Sequence, residues 1–143
     1  MKPLTTAATR PPIHRNTKRT GELSEAAFLL KAETLGFHIA NPWGDSERYD
    51  SVIGRGPTLL RVQVKSASRY ADARYRVRTT GASYTIYNAA EIDFLVAHIL
   101  PVDVCYILPI AAIEQCTSLR FYPDFPCKCA RWEQYREAWH LFL

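Results

Sequence analysis

The sequence predicts an α/β domain built on a mixed sheet. Three observations carry the prediction. Apolar residues recur at helical spacing after Gly21, apolar and polar residues alternate from Leu60 to Lys65, and continuous apolar runs follow at 94–100 and 104–110. Alternation marks a strand with one wet face, whereas an unbroken apolar run marks a strand buried on both faces. A chain of 143 residues fits one such domain and leaves little room for a second.

Taken in order, residues 1–20 hold Pro3, Pro11 and Pro12 among Thr, Arg and Lys and read as a flexible basic arm. The domain proper is expected over 21–143. Leu23, Ala26, Ala27, Leu30 and Leu35 form the apolar stripe of a first helix, and Gly36 stands where a helix stops. Glu22 and Glu25 fall in its first turns, where negative charge suits the helix dipole. Phe37–Ala40 reads as a short strand broken by Asn41-Pro42-Trp43-Gly44-Asp45. Strands at Tyr49–Ile53 and Leu59–Ser66 flank a Gly54-Arg55-Gly56-Pro57 turn. In the second of them Leu60, Val62 and Val64 face one way and Arg61, Gln63 and Lys65 the other. Arg74–Arg78 is a further strand, and Thr79–Ser83 a loop. After the two buried runs come a short helix at Ala111–Gln115, a strand at Leu119–Tyr122, and an amphipathic terminal helix over Trp132–Leu143.

Composition narrows the function. Hydrophobic residues make up 48% and charged residues 22%, which excludes a fully disordered chain. No apolar stretch approaches the roughly 20 residues of a membrane span. The start, MKPLTTAATRPPIHRNTKR, has no apolar core, so a soluble, cytoplasmic protein is expected. The net charge of +4 is concentrated. Lys2, Arg10, Arg15, Lys18 and Arg19 stand in the first 20 residues without an acid, and Arg61, Lys65, Arg69, Arg74, Arg76 and Arg78 stand together against Asp72 alone. Such surpluses suit a polyanion, though a solvated tail and strand face would show them too. Cys105 lies in an apolar run and reads as core. Cys127 and Cys129 form CxC rather than a zinc-type CxxC, and free thiols are expected. Walker A, GxGxxG, GxSxG and HExxH patterns are absent, and His14, His38, His98 and His140 form no metal-spaced pair.

What remains is a helix acid (Glu25, with Glu22 as competitor), an acid on a hairpin strand (Asp50), and Gln63 and Lys65 on the next strand. Gln63 and Lys65 share a face because a strand repeats every two residues, and the hairpin brings Asp50 alongside. A divalent cation of the Mg²⁺ type takes hard oxygen ligands, here the Asp50 carboxylate, the Gln63 amide and a backbone carbonyl. Lys65 is placed to hold or help deprotonate an attacking water, and Glu25 to steady the surroundings. Each residue has a plainer reading. Asp50 can pair with Arg48 or Arg61, Gln63 can be a satisfied polar group of the sheet, and Glu25 can serve the helix dipole alone. Lys65 in buried sheet would be costly without a task. Ser66 either helps position the site or faces solvent, and Asp93 reads as a structural residue heading its strand.

The order E…D…QxK in GELSEAAFLLKAETLGF, ERYDSVI and LLRVQVKSA resembles the PD-(D/E)xK nuclease superfamily. The likeness is to its QxK-bearing branch, which includes a homing endonuclease of a cyanobacterial group I intron. The stretch EIDFLVAHILPVDVCYILPIAAI also resembles the downstream strands of Holliday junction resolvases. Gln63 stands where the wider superfamily has an acid, as in that branch, and Tyr49 stands where the pattern has a proline. The resemblance covers roughly residues 20–115. It implies a restriction-endonuclease-like αβββαβ core and cleavage of DNA phosphodiesters with Mg²⁺, Mn²⁺ being expected to substitute. It implies catalysis by Asp50, Gln63, Lys65 and Glu25, with the metal on Asp50 and Gln63. DNA contacts are expected from Lys18, Arg19, Arg61, Arg69, Arg74, Arg76 and Arg78. Cutting both strands with one site per chain calls for a homo-oligomer, a dimer or tetramer, for which the aromatic terminal helix is the expected interface. A resolvase-like enzyme that reads shape, and a DNA-binding module with a decayed site, are the alternatives.

Overall fold

The computed structural model describes residues 17–81, 84–124 and 127–143. One helix, α1 (Thr17–Thr34), precedes strands β1 (His38–Ala40), β2 (Ser51–Arg55), β3 (Thr58–Ser66), β4 (Ser68–Ala71), β5 (Arg74–Arg78), β6 (Phe94–Ile99), β7 (Val104–Pro109) and β8 (Ser118–Phe121). A five-stranded sheet runs β1-β2-β3-β6-β7, and a three-stranded sheet runs β4-β5-β8. All pairs are antiparallel except β3 with β6, whose parallel register sets Gln63 beside Leu95 and Lys65 beside Ala97. The sheet is mixed, as the sequence predicts.

The large sheet is the middle of three layers. On one face Phe28 and Ala32 of α1 meet Val62, Val64, Val96, Ile107 and Phe142. On the other, Tyr75, Val77, Leu119 and Phe121 of the small sheet meet Leu95, Ala97, Tyr106 and Leu108. All six residues of β6 are buried, which is why its sequence is apolar but for His98. The first hairpin needs its glycines. Gly56 sits at φ +80° as the first residue of the two-residue turn with Pro57, the place where a type II′ turn wants glycine. At Gly54 a Cβ would stand 2.5 Å from the Thr58 carbonyl oxygen.

Several expectations change. The helix opens at Thr17, so four residues assigned to the arm are helical, while residues 1–16 lie outside those described. Thr-Lys-Arg-Thr carries no apolar period, so no pattern could reveal this turn. Glu22 and Glu25 consequently fall beyond the first turn. Gly36, at φ +87°, does end the helix, with the Phe37 and Gly36 N–H groups donating to the Ala32 and Glu33 carbonyls. The buried face, however, is Ser24, Phe28 and Ala32; Leu23 and Leu30 point outward, Leu30 at 70% exposure. Ser24 decides the register, because its hydroxyl lies 2.8 Å from Nδ1 of the buried His98, whose Nε2 lies 2.8 Å from Asp103.

The β3-to-β6 crossover contains no second helix among the described residues; β4 and β5 stand in its place. The turn expected at Gly54–Pro57 is shorter, since Arg55 and Thr58 are already paired. Ala111–Gln115 forms only a 3₁₀ turn, Ile110–Ala112. No terminal α-helix forms either. Two 3₁₀ turns, Glu133–Tyr135 and Trp139–Phe142, flank Glu137 at φ +48°, and the Glu137 N–H donates to the Cys105 carbonyl at 2.7 Å. Trp132, Ala138 and Phe142 are buried, and Trp139 stacks on Phe28 at 5.5 Å. Part of the segment is therefore core, and its aromatic side chains are spent largely on packing within the chain. Cys127 and Cys129 are disulfide-bonded, against the expectation of free thiols, their Cα atoms lying 5.2 Å apart across a turn. Cys105 is free and buried, as expected.

Candidate active site at the open edge of the third strand

β2 begins at Ser51 and covers β3 only as far as Val62. Beyond that point β3 stays paired to β6 on one side and has no β2 partner on the other. Asp50, the residue before β2, fills the gap. Its N–H donates to the Val62 carbonyl at 2.9 Å, and its Oδ2 accepts the Val64 N–H at 2.9 Å. A carboxylate thus replaces a strand carbonyl and is fixed on the edge that Gln63 and Lys65 flank.

The Gln63 amide, which donates weakly to the Val64 carbonyl at 3.4 Å, lies close enough to Asp50 to favour its charged form, and so does Lys65. The Lys65 ammonium sits 5.4 Å from the centre of the buried Tyr87 ring, which the Arg48 guanidinium approaches at 4.2 Å. Arg48 is taken up by Glu91 at 2.8 Å, so neither of the expected plain partners of Asp50, Arg48 or Arg61, reaches it. Half-buried Glu25 completes the group from α1. Burial raises the Asp50 pKa above the usual carboxylate range, and the Val64 N–H, Lys65 and Gln63 only partly reverse this. Glu25 is raised by burial first, then by the charges of Asp50 and Glu22. Two carboxylates that burden each other in this way suit a hard divalent cation, and an amide oxygen and a backbone carbonyl beside them complete an oxygen donor set. Among the described residues no three His, Cys, Asp or Glu side chains cluster as ligands, so a cation here would draw on Gln63, a backbone carbonyl or water beside the carboxylates.

The basic residues separate into groups. Arg61 does not join the expected cationic surface, because its Nε and Nη2 hold Asp93 at 3.1 Å and its Nη groups donate to the Ala89 and Ala90 carbonyls. Burial pushes Asp93 up, yet the Arg61 bonds outweigh it and hold the carboxyl below its ordinary value. Asp93 is a structural residue, as read. Arg69 pairs with exposed Asp72. Lys18 and Arg19 are exposed on the first turn of α1. Arg74, Arg76 and Arg78 alternate with buried Tyr75 and Val77 on β5 and stay exposed. Arg120 extends this face, since β8 sets it opposite Arg76. The alternation in Ser118–Phe121 was the signal for it. Ser24, His98 and Asp103 imitate a nucleophilic triad, but Ser24 is wholly buried, and no substrate can reach it.

A mixed sheet with an acid, a Gln-x-Lys strand and a helix carboxylate at one open edge defines the class: a nuclease of restriction-endonuclease-like fold. The sequence model of the PD-(D/E)XK endonuclease family matches residues 15–142, and the chain belongs to that family. Among solved structures it is similar to that of a bacterial homing endonuclease, I-Ssp6803I, with a TM-score of 0.79 and 28% identity over 88% of this chain and 92% of that one. No curated protein matches it significantly.

Proposed function

We propose that the protein is a Mg²⁺-dependent DNA endonuclease of the homing or restriction type, with Mn²⁺ able to replace Mg²⁺. The observation that carries the reading is the Asp50 carboxylate fixed on the open stretch of β3, with Gln63 and Lys65 beside it and Glu25 facing it. The similarity to a homing endonuclease supports the homing type. Asp50 and Gln63 hold the cation. A bound Mg²⁺ would polarise a phosphate oxygen and lower the pKa of coordinated water. Lys65 holds the attacking water, helps remove its proton, and offsets the negative charge that gathers on the phosphorus oxygens. Glu25 orients water at the same point. Lys18, Arg19, Arg69, Arg74, Arg76 and Arg78 hold the DNA backbone. One site per chain cuts one strand, so a homo-oligomer goes with this reading. A cytoplasmic location accompanies it.

The test is cleavage of supercoiled plasmid and of a four-way junction in Mg²⁺ and in EDTA, beside Lys65→Ala. Plasmid cutting that needs metal and is lost in the variant supports the reading. Preference for the junction would replace it with a resolvase, and binding without cutting would leave a decayed module.

A further inference from the structure

At the carboxyl end of β3, past the Asp50 edge, lies a cavity of about 360 Å³. Its walls include Lys65 and Ser66 of β3, Ser68 of β4, and Arg76 and Arg78 of β5, with Tyr84. Three of the lining residues are cations and none is an acid. Arg76 and Arg78 form no ion pair among the described residues. The Ser66 hydroxyl is buried in this wall without a hydrogen-bond partner, a rare condition for a buried polar group. Converging cations beside an unused hydroxyl make an anion site. Lys65 belongs both to this cavity and to the Asp50 edge, so an anion here and a bond attacked there lie on one molecule whose charges repeat.

We propose that the cavity binds a DNA backbone phosphate neighbouring the one that is cut, through Arg76, Arg78 and Ser66, and so sets the register of the strand against Lys65. The proposal rests on the DNA-cleavage reading above and adds to it a second, non-reacting phosphate and the residues that hold it.

The experiment measures binding to a short mixed-sequence duplex in EDTA as salt is raised, for the wild type, Ser66→Ala, and an Arg76→Ala/Arg78→Ala double variant. Losing one phosphate contact lowers the slope of log K against log salt by about 0.9, and the double variant should lose that much. Ser66→Ala removes no charge, so it should bind several-fold more weakly with the slope unchanged. It should also melt no lower than wild type, because a hydroxyl without a partner stabilises nothing. Unaltered affinity and slope in both variants would overturn the proposal. A second arm compares melting in inorganic phosphate and in chloride at equal ionic strength. Protection of the wild type that the double variant lacks supports the site, and protection that the double variant keeps places the anion elsewhere and overturns it. A wild type protected by phosphate that binds no duplex has a free-anion site, which overturns the DNA assignment. If duplex binding behaves as expected but plasmid is never cut in Mg²⁺, the cavity stands and the catalytic reading falls.

Discussion

Replacing Asp50 by Asn should stabilise the metal-free protein while abolishing cleavage. The side chains are isosteric, and the Asn oxygen can still accept the Val64 N–H, so the change removes charge and little else. What is lost is the charge-assisted part of that bond, roughly 1 kcal/mol, and an attraction to half-exposed Lys65 that solvent screens to less than about 1 kcal/mol. What is relieved is the burial of an ionised carboxylate and its repulsion with Glu25. The raised pKa of Asp50 means that the relieved costs exceed the lost gains. The net effect is a stabilisation of about 1 kcal/mol, within the range common for removing a strained functional group. For a chain of this size that is about 2–4 °C in melting temperature. The sign of the pH dependence follows. A carboxylate whose folded pKa is raised costs stability above its unfolded value, so the variant's advantage is full at pH 7. It fades as pH falls through the folded pKa toward the unfolded value of about 3.9, where Asp50 is neutral in both states. Thermal melts in EDTA across this range measure it, and Mg²⁺ should then raise the melting temperature of the wild type alone. A variant that melts below wild type at pH 7 in EDTA would refute the account of Asp50 as a carboxylate short of a cation.

Phe142→Ala should cost about 3–5 kcal/mol in urea titrations, because Phe142 is buried among Phe28, Phe37, Phe94 and Trp139; a cost under about 1 kcal/mol would mean a surface residue. Glu137 accepts bonds from the Cys105 N–H, Lys31 and Trp139, which outweigh its burial and hold its pKa low. It therefore adds stability above its unfolded pKa and loses it as pH falls through the folded one, so the deficit of Glu137→Gln should shrink on acidification, and a constant deficit would disprove the link. Arg61→Ala should lower stability by about 1–3 kcal/mol yet leave the salt slope of DNA binding unchanged, since its guanidinium holds Asp93 and two carbonyls; a fall in slope near 0.9 would return Arg61 to the DNA surface.

The sheet part of the candidate site was legible because it depends on strand periodicity and one hairpin. The two-residue repeat puts Gln63 and Lys65 on one face, and the hairpin carries Asp50, the residue before β2, to the same stretch of β3. The helix was harder. Five apolar residues suggested one face, but Phe28 and the bond between Ser24 and His98 impose another, and a serine that meets a histidine 74 positions away leaves no local mark. The terminal segment misled for a related reason. WEQYREAWHLFL has helical spacing, but Glu137 takes a left-handed conformation to reach the Cys105 carbonyl, a partner that only the fold supplies. Arg61 looked free beside five other bases, because the pairing of β3 with β6 that brings Asp93 to it is a long-range event.

The stacking of Trp139 on Phe28 also bears on synthesis. The two residues are separated by most of the chain, and ribosomes add about 5–20 residues per second, so α1 emerges roughly 5–20 s before its aromatic cover exists. During that interval Phe28 has neither Trp139 nor Phe142 against it, and the helix that carries Glu25 is held less firmly to the sheet. A nascent or truncated chain can thus form the hairpin that bears Asp50 and Lys65 without a firmly seated Glu25. Glu25 is therefore seated firmly only after Trp139 and Phe142 have been made and have closed over Phe28.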